Sequence, residues 1–400
     1  MEDHLQIVVV SPFLDRRHGT ERCIIEQIER LASKDGWGIH LFSQHIEDVN
    51  GLLTEDPENA TTGFIRWYKV PDIPGPHLLK FAWWFFANQI LRNRALKTLK
   101  DRPLLVYSPG INCLDADAIT VHIVFHDFYA RIHSELALLK VPVSRWPVTL
   151  HRKLYYRLIM ALERHIYTNP KVRLAAVSKL VSAQLEKHFG RSDSVVISNA
   201  VDTAVFNSEA RLARRVVSRR TLNLHDGDFV VLLIGNDWKK KGLDQLIRAL
   251  AIIENPIQLL VVGKDDARLY RPTLRELQLE DRVRFLPPSA DVLSFYAAAD
   301  AYAGPSLEDA FGLPILEAMA CGLPVIASVQ AGASENILDG TTGYLLRDPM
   351  NHMELAELIR RLVDDRPQAQ RMGAAAAQYV QTSITWDSNA AATREFLEKR

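Results

Sequence analysis

Short apolar runs alternate with helical patterns along this chain, and the alternation starts twice. In the first half the runs lie at 6–10, 38–42, 104–107, 119–125, 172–177 and 195–197. A loop from Ser11 to Gly19 and a helix to about Lys34 follow the first run. The pattern restarts at Phe229, with runs at 229–234, 258–262, 283–286, 301–303 and 325–327. Short runs separated by helices suit strands buried on both faces, so each half predicts a doubly wound parallel α/β sheet. A chain of 400 residues is long enough for two such domains. The polar, arginine-rich stretch 203–228 marks the joint, giving domains of 1–205 and 206–385 and leaving 386–400 as a last helix.

The segment from Pro305 to Ser328 carries the most chemistry. It sets two carboxylates, Asp309 and Glu317, with seven residues between them, around a glycine turn and a helix start. Pro314 fits the first turn of that helix and Gly322 fits its end. Asp309 then lies on a loop and Glu317 in the opening turns. Free N–H groups at the helix start attract phosphate, and a carboxylate nearby accepts from sugar hydroxyls. The two together suit a sugar joined to a nucleoside diphosphate.

This segment resembles the retaining glycosyltransferases of family 4, the glycosyl transferases group 1 domain. Members carry a run like Glu-Gly-Phe-Gly-Leu…Glu-Ala-Met-Ala…Gly-x-Pro-Val. Here Asp309 takes the first Glu position and Ala310 the following glycine. The resemblance covers most of 229–346 well and the first half loosely. It implies the GT-B architecture: two doubly wound, Rossmann-like domains facing a central cleft, with the helix 386–400 crossing back onto the first domain.

The same resemblance assigns roles. Glu317 binds ribose hydroxyls, Asp309 binds the transferring sugar, and the N–H groups of Gly312, Leu313 and Ile315 hold the diphosphate. Lys241, in Gly235-Asn236-Asp237-Trp238-Lys239-Lys240-Lys241-Gly242, matches the family lysine. Asn236 stands where the family has arginine; either Lys239 or Lys240 supplies that charge or the position is served differently. Gly19 and Thr20, in His18-Gly19-Thr20-Glu21-Arg22, take the place of a glycine-rich turn beside the donor. His126, in Val121-His122-Ile123-Val124-Phe125-His126-Asp127, takes the place of a strand-end histidine that touches the donor sugar, with His122 in reserve. Ser198-Asn199-Ala200-Val201-Asp202 and Phe206 match the domain joint, and Glu335 reads as a helix-start residue. No metal or other cofactor is implied, since lysine and helix termini do the charge work. The donor is the nucleotide sugar itself.

Composition agrees with an enzyme of this kind. Hydrophobic content of 48% and charged content of 24% are globular values, and zero net charge gives no global pull toward nucleic acid. The chain opens on acidic Met1-Glu2-Asp3-His4, unlike a secretory signal. Cys23, Cys113 and Cys321 have no metal-like spacing and suit a reducing cytoplasm. Two basic, aromatic stretches of the first domain offer peripheral contact with a membrane face: one from Lys80 through Trp83, Trp84 and Phe86 to Lys100, the other from Arg145 to Arg164. A core-facing helix is the competing reading for Trp83–Phe86.

The expected activity is transfer of a hexose from a nucleoside diphosphate to a glycan or lipid-linked acceptor with retention, in a setting such as cell-envelope polysaccharide assembly. A sugar-nucleotide epimerase, a phosphorylase, and a non-catalytic nucleotide-sugar-binding subunit are the alternatives.

Overall fold

The computed structural model describes residues 5–399 apart from 17–18, 48, 50–52, 55–62, 100–103, 134–141, 143 and 145. His18, Lys100 and Arg145 therefore lie outside the described residues. The chain divides into two units, Met1–Ile197 with Asp387–Arg400, and Ser198–Trp386.

In the first unit β1 (Gln6–Val10), β3 (Gly38–Ser43), β5 (Phe64–Lys69), β6 (Leu105–Pro109), β7 (Ala118–Val121), β8 (Arg173–Ala176) and β9 (Val195–Val196) form one parallel sheet in the order β5-β3-β1-β6-β7-β8-β9. A small separate pair joins β2 (Phe13–Leu14) to β4 (His45–Ile46). Helix α1 (Gly19–Ser33) buries Ile24, Ile25, Ile28 and Leu31 at helical spacing against β1 and β3. The remaining helices before the joint are α2 (His77–Ala95), α3 (Phe125–Ile132), α4 (Trp146–Tyr167) and α5 (Lys179–Phe189).

The second unit repeats the plan. Its strands are β10 (Phe229–Ile234), β11 (Ile257–Val262), β12 (Val283–Leu286), β13 (Ala301–Gly304), β14 (Val325–Ser328) and β15 (Gly343–Leu346), all parallel, in the order β12-β11-β10-β13-β14-β15. Counted along the unit, that order is third, second, first, fourth, fifth, sixth. Its helices are α6 (Ser208–Thr221), α7 (Leu243–Ala251), α8 (Arg271–Glu276), α9 (Leu293–Ala298), α10 (Leu313–Ala320), α11 (His352–Asp364) and α12 (Arg366–Ser383). Leu243, Leu246, Ile247 and Leu250 turn one face of α7 into the core between β10 and α11. The last helix, α13 (Trp386–Glu398), lies with the first unit: Asn389 Oδ1 accepts from Gln27 at 3.0 Å, and Asp387 accepts from Arg30 at 2.7 Å.

Three sequence expectations need correction. The apolar run 119–125 is not one strand, because β7 stops at Val121 and a helix begins at Phe125. The edge strands β5 and β15 were not expected; Arg66 and Lys69 break the apolar pattern of the first, and the second is only Gly-Tyr-Leu-Leu. The arginine-rich stretch 203–228 is not the joint, since most of it is α6 of the second unit. There Arg215 and Arg219 reach Asp300 at 2.6 and 3.2 Å and the carbonyls of Ala299 and Ala298 at 2.9 and 3.0 Å. These arginines close the end of α9, so the division falls earlier, after Ile197.

Two imidazoles of the first unit are held neutral. Burial and nearby Arg66 push His40 down to about 4, and burial alone pushes His122 down to about 4. His40 bonds Tyr68 Oη and Gln6 Oε1, whereas the buried His122 Nε2 has no partner among the described residues. The unfolded chain takes up these protons near 6.5, so it binds more protons than the folded chain between about 6.5 and about 4. Stability is therefore lost as pH falls through that window, by up to ~3 kcal/mol per group. Thermal melts should show a lower Tm at pH 5 than at pH 7.5, and His122→Leu should flatten that dependence.

Candidate active site

The order of strands reverses at β10 and β13, which lie side by side but send the chain to opposite flanks of the sheet. A crevice at the carboxyl ends of such a pair is where open α/β sheets take ligands. Both motifs of the second unit leave from that pair. Gly235 follows β10 at φ 148°, and a Cβ there would stand 2.9 Å from Lys241 Cε, so the lysine stem folds back over bare backbone. Gly242 caps α7 at φ 77°, and a Cβ there would meet the Pro305 carbonyl oxygen at 2.0 Å. Only glycine lets these two loops touch. The Leu307 N–H seals them by donating to the Lys240 carbonyl at 2.7 Å.

That close approach brings Lys241 Nζ into an ion pair with Asp309 Oδ2, both side chains being partly exposed. The Asp309 backbone is pinned from two sides. Its N–H donates to the Gln330 carbonyl at 3.0 Å, and its carbonyl accepts from Gly332 N–H at 3.0 Å. The carboxylate also accepts from Phe311 N–H at 3.3 Å and rests on Gly312, where a Cβ would come within 2.9 Å of Oδ2.

Gly312, at φ 93°, starts α10 without a side-chain cap. Among the described residues the N–H groups of Gly312 and Leu313 have no partner, so they remain available to an anion. The Ile315 N–H donates to the Gly312 carbonyl at 3.0 Å, which leaves Ile315 a packing role with its side chain against Gly304 and Gly312. Glu317, 7% exposed, accepts from Tyr296 Oη at 2.7 Å. Burial and the neighbouring Glu317 hold the Tyr296 phenol well above its ordinary value, so it stays a donor. Phe206, from the motif at 198–206, packs edge-on against that ring at 5.8 Å. Glu335 accepts from Ser198 Oγ at 3.0 Å within a short turn of helix and takes no part in the crevice contacts above.

Asn236 does not imitate an arginine. Its Oδ1 accepts from Lys264 N–H at 3.1 Å and so ties down the loop after β11, which carries the exposed Lys264 side chain. Lys240 Nζ pairs with Asp237 at 3.1 Å. Of the three successive lysines, Lys241 is the one set on Asp309.

The first unit holds the other candidates at the carboxyl edge of its own sheet. Gly19 and Thr20 open α1 after β1. His126 sits in the first turn of α3 rather than at a strand end, and His122 lies half-buried just past β7. The reason for the early helix is Glu163 of α4: its Oε1 accepts from Phe125 N–H at 2.6 Å, and its Oε2 accepts from His126 N–H at 2.9 Å. Burial pushes the Glu163 carboxyl up to about 8 against the pull of those two amides. Sequence reading missed Glu163, Tyr296 and Lys264. Glu163 left a trace, an acid in register with the buried Ile159, Ile166 and Tyr167 of α4; the other two left none.

Among the described residues no group of three or more His, Cys, Asp or Glu could hold a metal ion.

Residues 215–379 match the family model described as glycosyl transferases group 1. D-inositol 3-phosphate glycosyltransferase of Pseudarthrobacter chlorophenolicus is 32% identical over 58% of this chain and 56% of its own. Lipopolysaccharide glucosyltransferase WaaG of Escherichia coli is 26% identical over 57% of this chain and 63% of its own. The chain thus spans about half the length of the curated relatives it matches. The crystal structure of WaaG superposes with a TM-score of 0.75 at 19% identity, covering 98% of this chain and 100% of that one. Anabaena HepE in complex with UDP and glucose gives 0.70 at 20% identity, covering 99% and 100%. These likenesses show the fold, GT-B.

Gly242→Ala should destabilise the second unit by ~3 kcal/mol, combining a left-handed backbone cost with a clash against fixed backbone. Urea unfolding measures it, and a loss under ~0.5 kcal/mol would show that the two loops are not locked together.

Proposed function

We propose that this chain, whose residues 215–379 match the glycosyl transferases group 1 family model, transfers a sugar from a nucleoside diphosphate to a glycan or lipid-linked acceptor with retention of configuration. The observation that carries the reading is the Lys241–Asp309 pair set against the uncapped start of α10. An ammonium has three donors, so Lys241 can keep Asp309 and still bond a phosphate oxygen. The diphosphate lies on Lys241 and the N–H groups of Gly312 and Leu313, with Lys264 supplying the charge that Asn236 lacks. Glu317, oriented by Tyr296, takes the ribose hydroxyls. Asp309 takes hydroxyls of the sugar. His126, Gly19 and Thr20 act on the donor from the first unit.

The bond from the anomeric carbon to the diphosphate breaks with its electrons going to the phosphate oxygen. Lys241 and the helix-start amides meet that charge, so no metal is required. The acceptor oxygen bonds the anomeric carbon, and its proton passes to the departing diphosphate. HepE was solved with UDP and glucose, which supports a UDP-sugar as the first donor to try. The relatives named for inositol phosphate and lipopolysaccharide support a polar or lipid-borne acceptor.

A lipid-borne acceptor fits one surface of the first unit. Leu79, Trp83, Phe86 and Ile90 form an exposed apolar stripe along α2, Phe86 being 68% exposed, while Trp84 alone of the two tryptophans is buried. Leu150 and Leu154 of α4 are exposed as well. Tyr155 joins the helices, meeting the His77 ring at 4.6 Å and Phe81 at 5.8 Å. Lys80, Arg94, Lys97, Arg152 and Arg157 supply cations for anionic headgroups. No described helix is long and apolar enough to cross a membrane.

The purified chain should slowly release nucleoside diphosphate and free sugar from one of UDP-, GDP-, ADP- or dTDP-sugars, with heavy-isotope water entering the sugar. Lys241→Ala should lower that rate ~10²-fold. No release from any donor, together with no thermal shift by any nucleotide, would overturn the reading. Sedimentation with vesicles containing phosphatidylglycerol should carry the chain down, and Trp83→Ser with Phe86→Ser should leave it in the supernatant; equal sedimentation of both would remove the membrane surface.

A further inference from the structure

Glu163 is completely buried, yet its partners are two backbone N–H groups and one imidazole of a single short segment. Helix α3 has no side-chain cap of its own: Val124 occupies the cap position in extended backbone and has no side-chain oxygen to offer. Glu163, from α4, supplies both missing acceptors, at 2.6 Å to Phe125 N–H and 2.9 Å to His126 N–H. The same Oε2 lies 2.6 Å from His126 Nδ1. Capping alone needs only the first two contacts, and a serine at Val124 could provide such a cap without burying an acid. The third contact is what a carboxylate adds.

The ring has little freedom to turn away. Phe189 packs edge-on against it at 5.0 Å, and His188 lies tilted at 5.8 Å. Charges around it come from Arg164 on α4, His188 and Lys187 on α5, and Asp127 on α3. Asp127 is committed elsewhere, to Lys187 at 3.1 Å and His188 at 3.2 Å. Burial, Arg164 and His188 hold His126 below its ordinary value, so at pH 8.5, where Glu163 is ionised, the ring is neutral and its chemistry depends on which nitrogen keeps the proton. Nε2 bonds no described residue.

We infer that Glu163 is a positioning residue for His126: its carboxylate holds the imidazole proton on Nδ1 and so turns Nε2 outward as a hydrogen-bond acceptor for a hydroxyl of the donor sugar. The role in transfer rests on the placing of His126 under Proposed function. The ring geometry does not, so the two can fail separately. In Glu163→Gln one oxygen becomes an NH₂ donor. Facing Nδ1, that donor forces the proton to Nε2 and leaves a donor where the sugar hydroxyl needs an acceptor.

The test is the ¹⁵N spectrum of the whole chain labelled at histidine, recorded at pH 8.5, above the value of Glu163, with the His126 signals assigned through His126→Gln. The wild type should show a protonated Nδ1 and a bare Nε2, and Glu163→Gln the reverse. At the same pH 8.5, nucleoside diphosphate release, from whichever of UDP-glucose, GDP-mannose, ADP-glucose or dTDP-glucose is cleaved, should fall ~10- to 100-fold in Glu163→Gln and no further in the double variant with His126→Ala. A wild-type ring protonated on Nε2 overturns the inference, and this needs no variant to fold. A folded Glu163→Gln with Nδ1 still protonated and full turnover overturns it as well. Full turnover in His126→Ala would overturn the placing of His126 in the reaction, while the wild-type spectrum still decides whether Glu163 sets the ring.

Discussion

The reversal of strand order between β10 and β13 is the constraint on which the donor site depends. Two parallel strands lie in register, and the segments that follow them depart to opposite flanks. Their carboxyl ends cannot be covered by either connection, so a crevice stays open there. Whether the crevice becomes a site then depends on how closely the two departing loops approach. Gly242 against the Pro305 carbonyl sets that distance, and the Lys241–Asp309 pair is its chemical result.

The carboxylates of this chain occupy three different environments, and their partners differ accordingly. Asp309 is partly exposed and shares a cation with room left for further bonds. Glu317 is buried beside a phenol that donates to it, which orients one oxygen. Glu163 is sealed off entirely and survives as an acceptor because backbone amides and an imidazole surround it. Glu163, Glu317 and Asp309 each take a donor from a separate element, so packing between elements sets the electrostatics.

The central strands of both sheets could be read from the sequence because they are buried on both faces, and unbroken apolar runs such as Val230–Leu233 leave no other reading. Edge strands lack that signature: Arg66 and Lys69 face water on β5, and β15 is too short to show a period. The start of α3 was invisible for a different reason. Its cap is contributed by a residue on another helix, and local sequence holds no record of it. The pairing of Lys241 with Asp309 was reachable only through two separate motifs, since no spacing rule joins residues in different loops. Tyr296 could not be distinguished from any core aromatic, because only the structure shows where its hydroxyl points. Asn236 departs from the family pattern in sequence, but its bond to the loop of Lys264 depends on a neighbouring strand.

The first unit is discontinuous, and this fixes an order of assembly. During synthesis Ser198–Trp386 emerges as one uninterrupted stretch, so its sheet can close as soon as β15 and the helices after it leave the ribosome. The sheet that begins at Gln6 must wait. Gln27, Arg30 and Arg173 gain their bonds to Asn389, Asp387 and Phe396 only when the last helix has been made. The half of the molecule that is translated first is therefore the half that matures last. Until then the polar side chains on the flank of α1 stand without the helix that completes them, which makes the final residues of the chain a checkpoint for the initial ones.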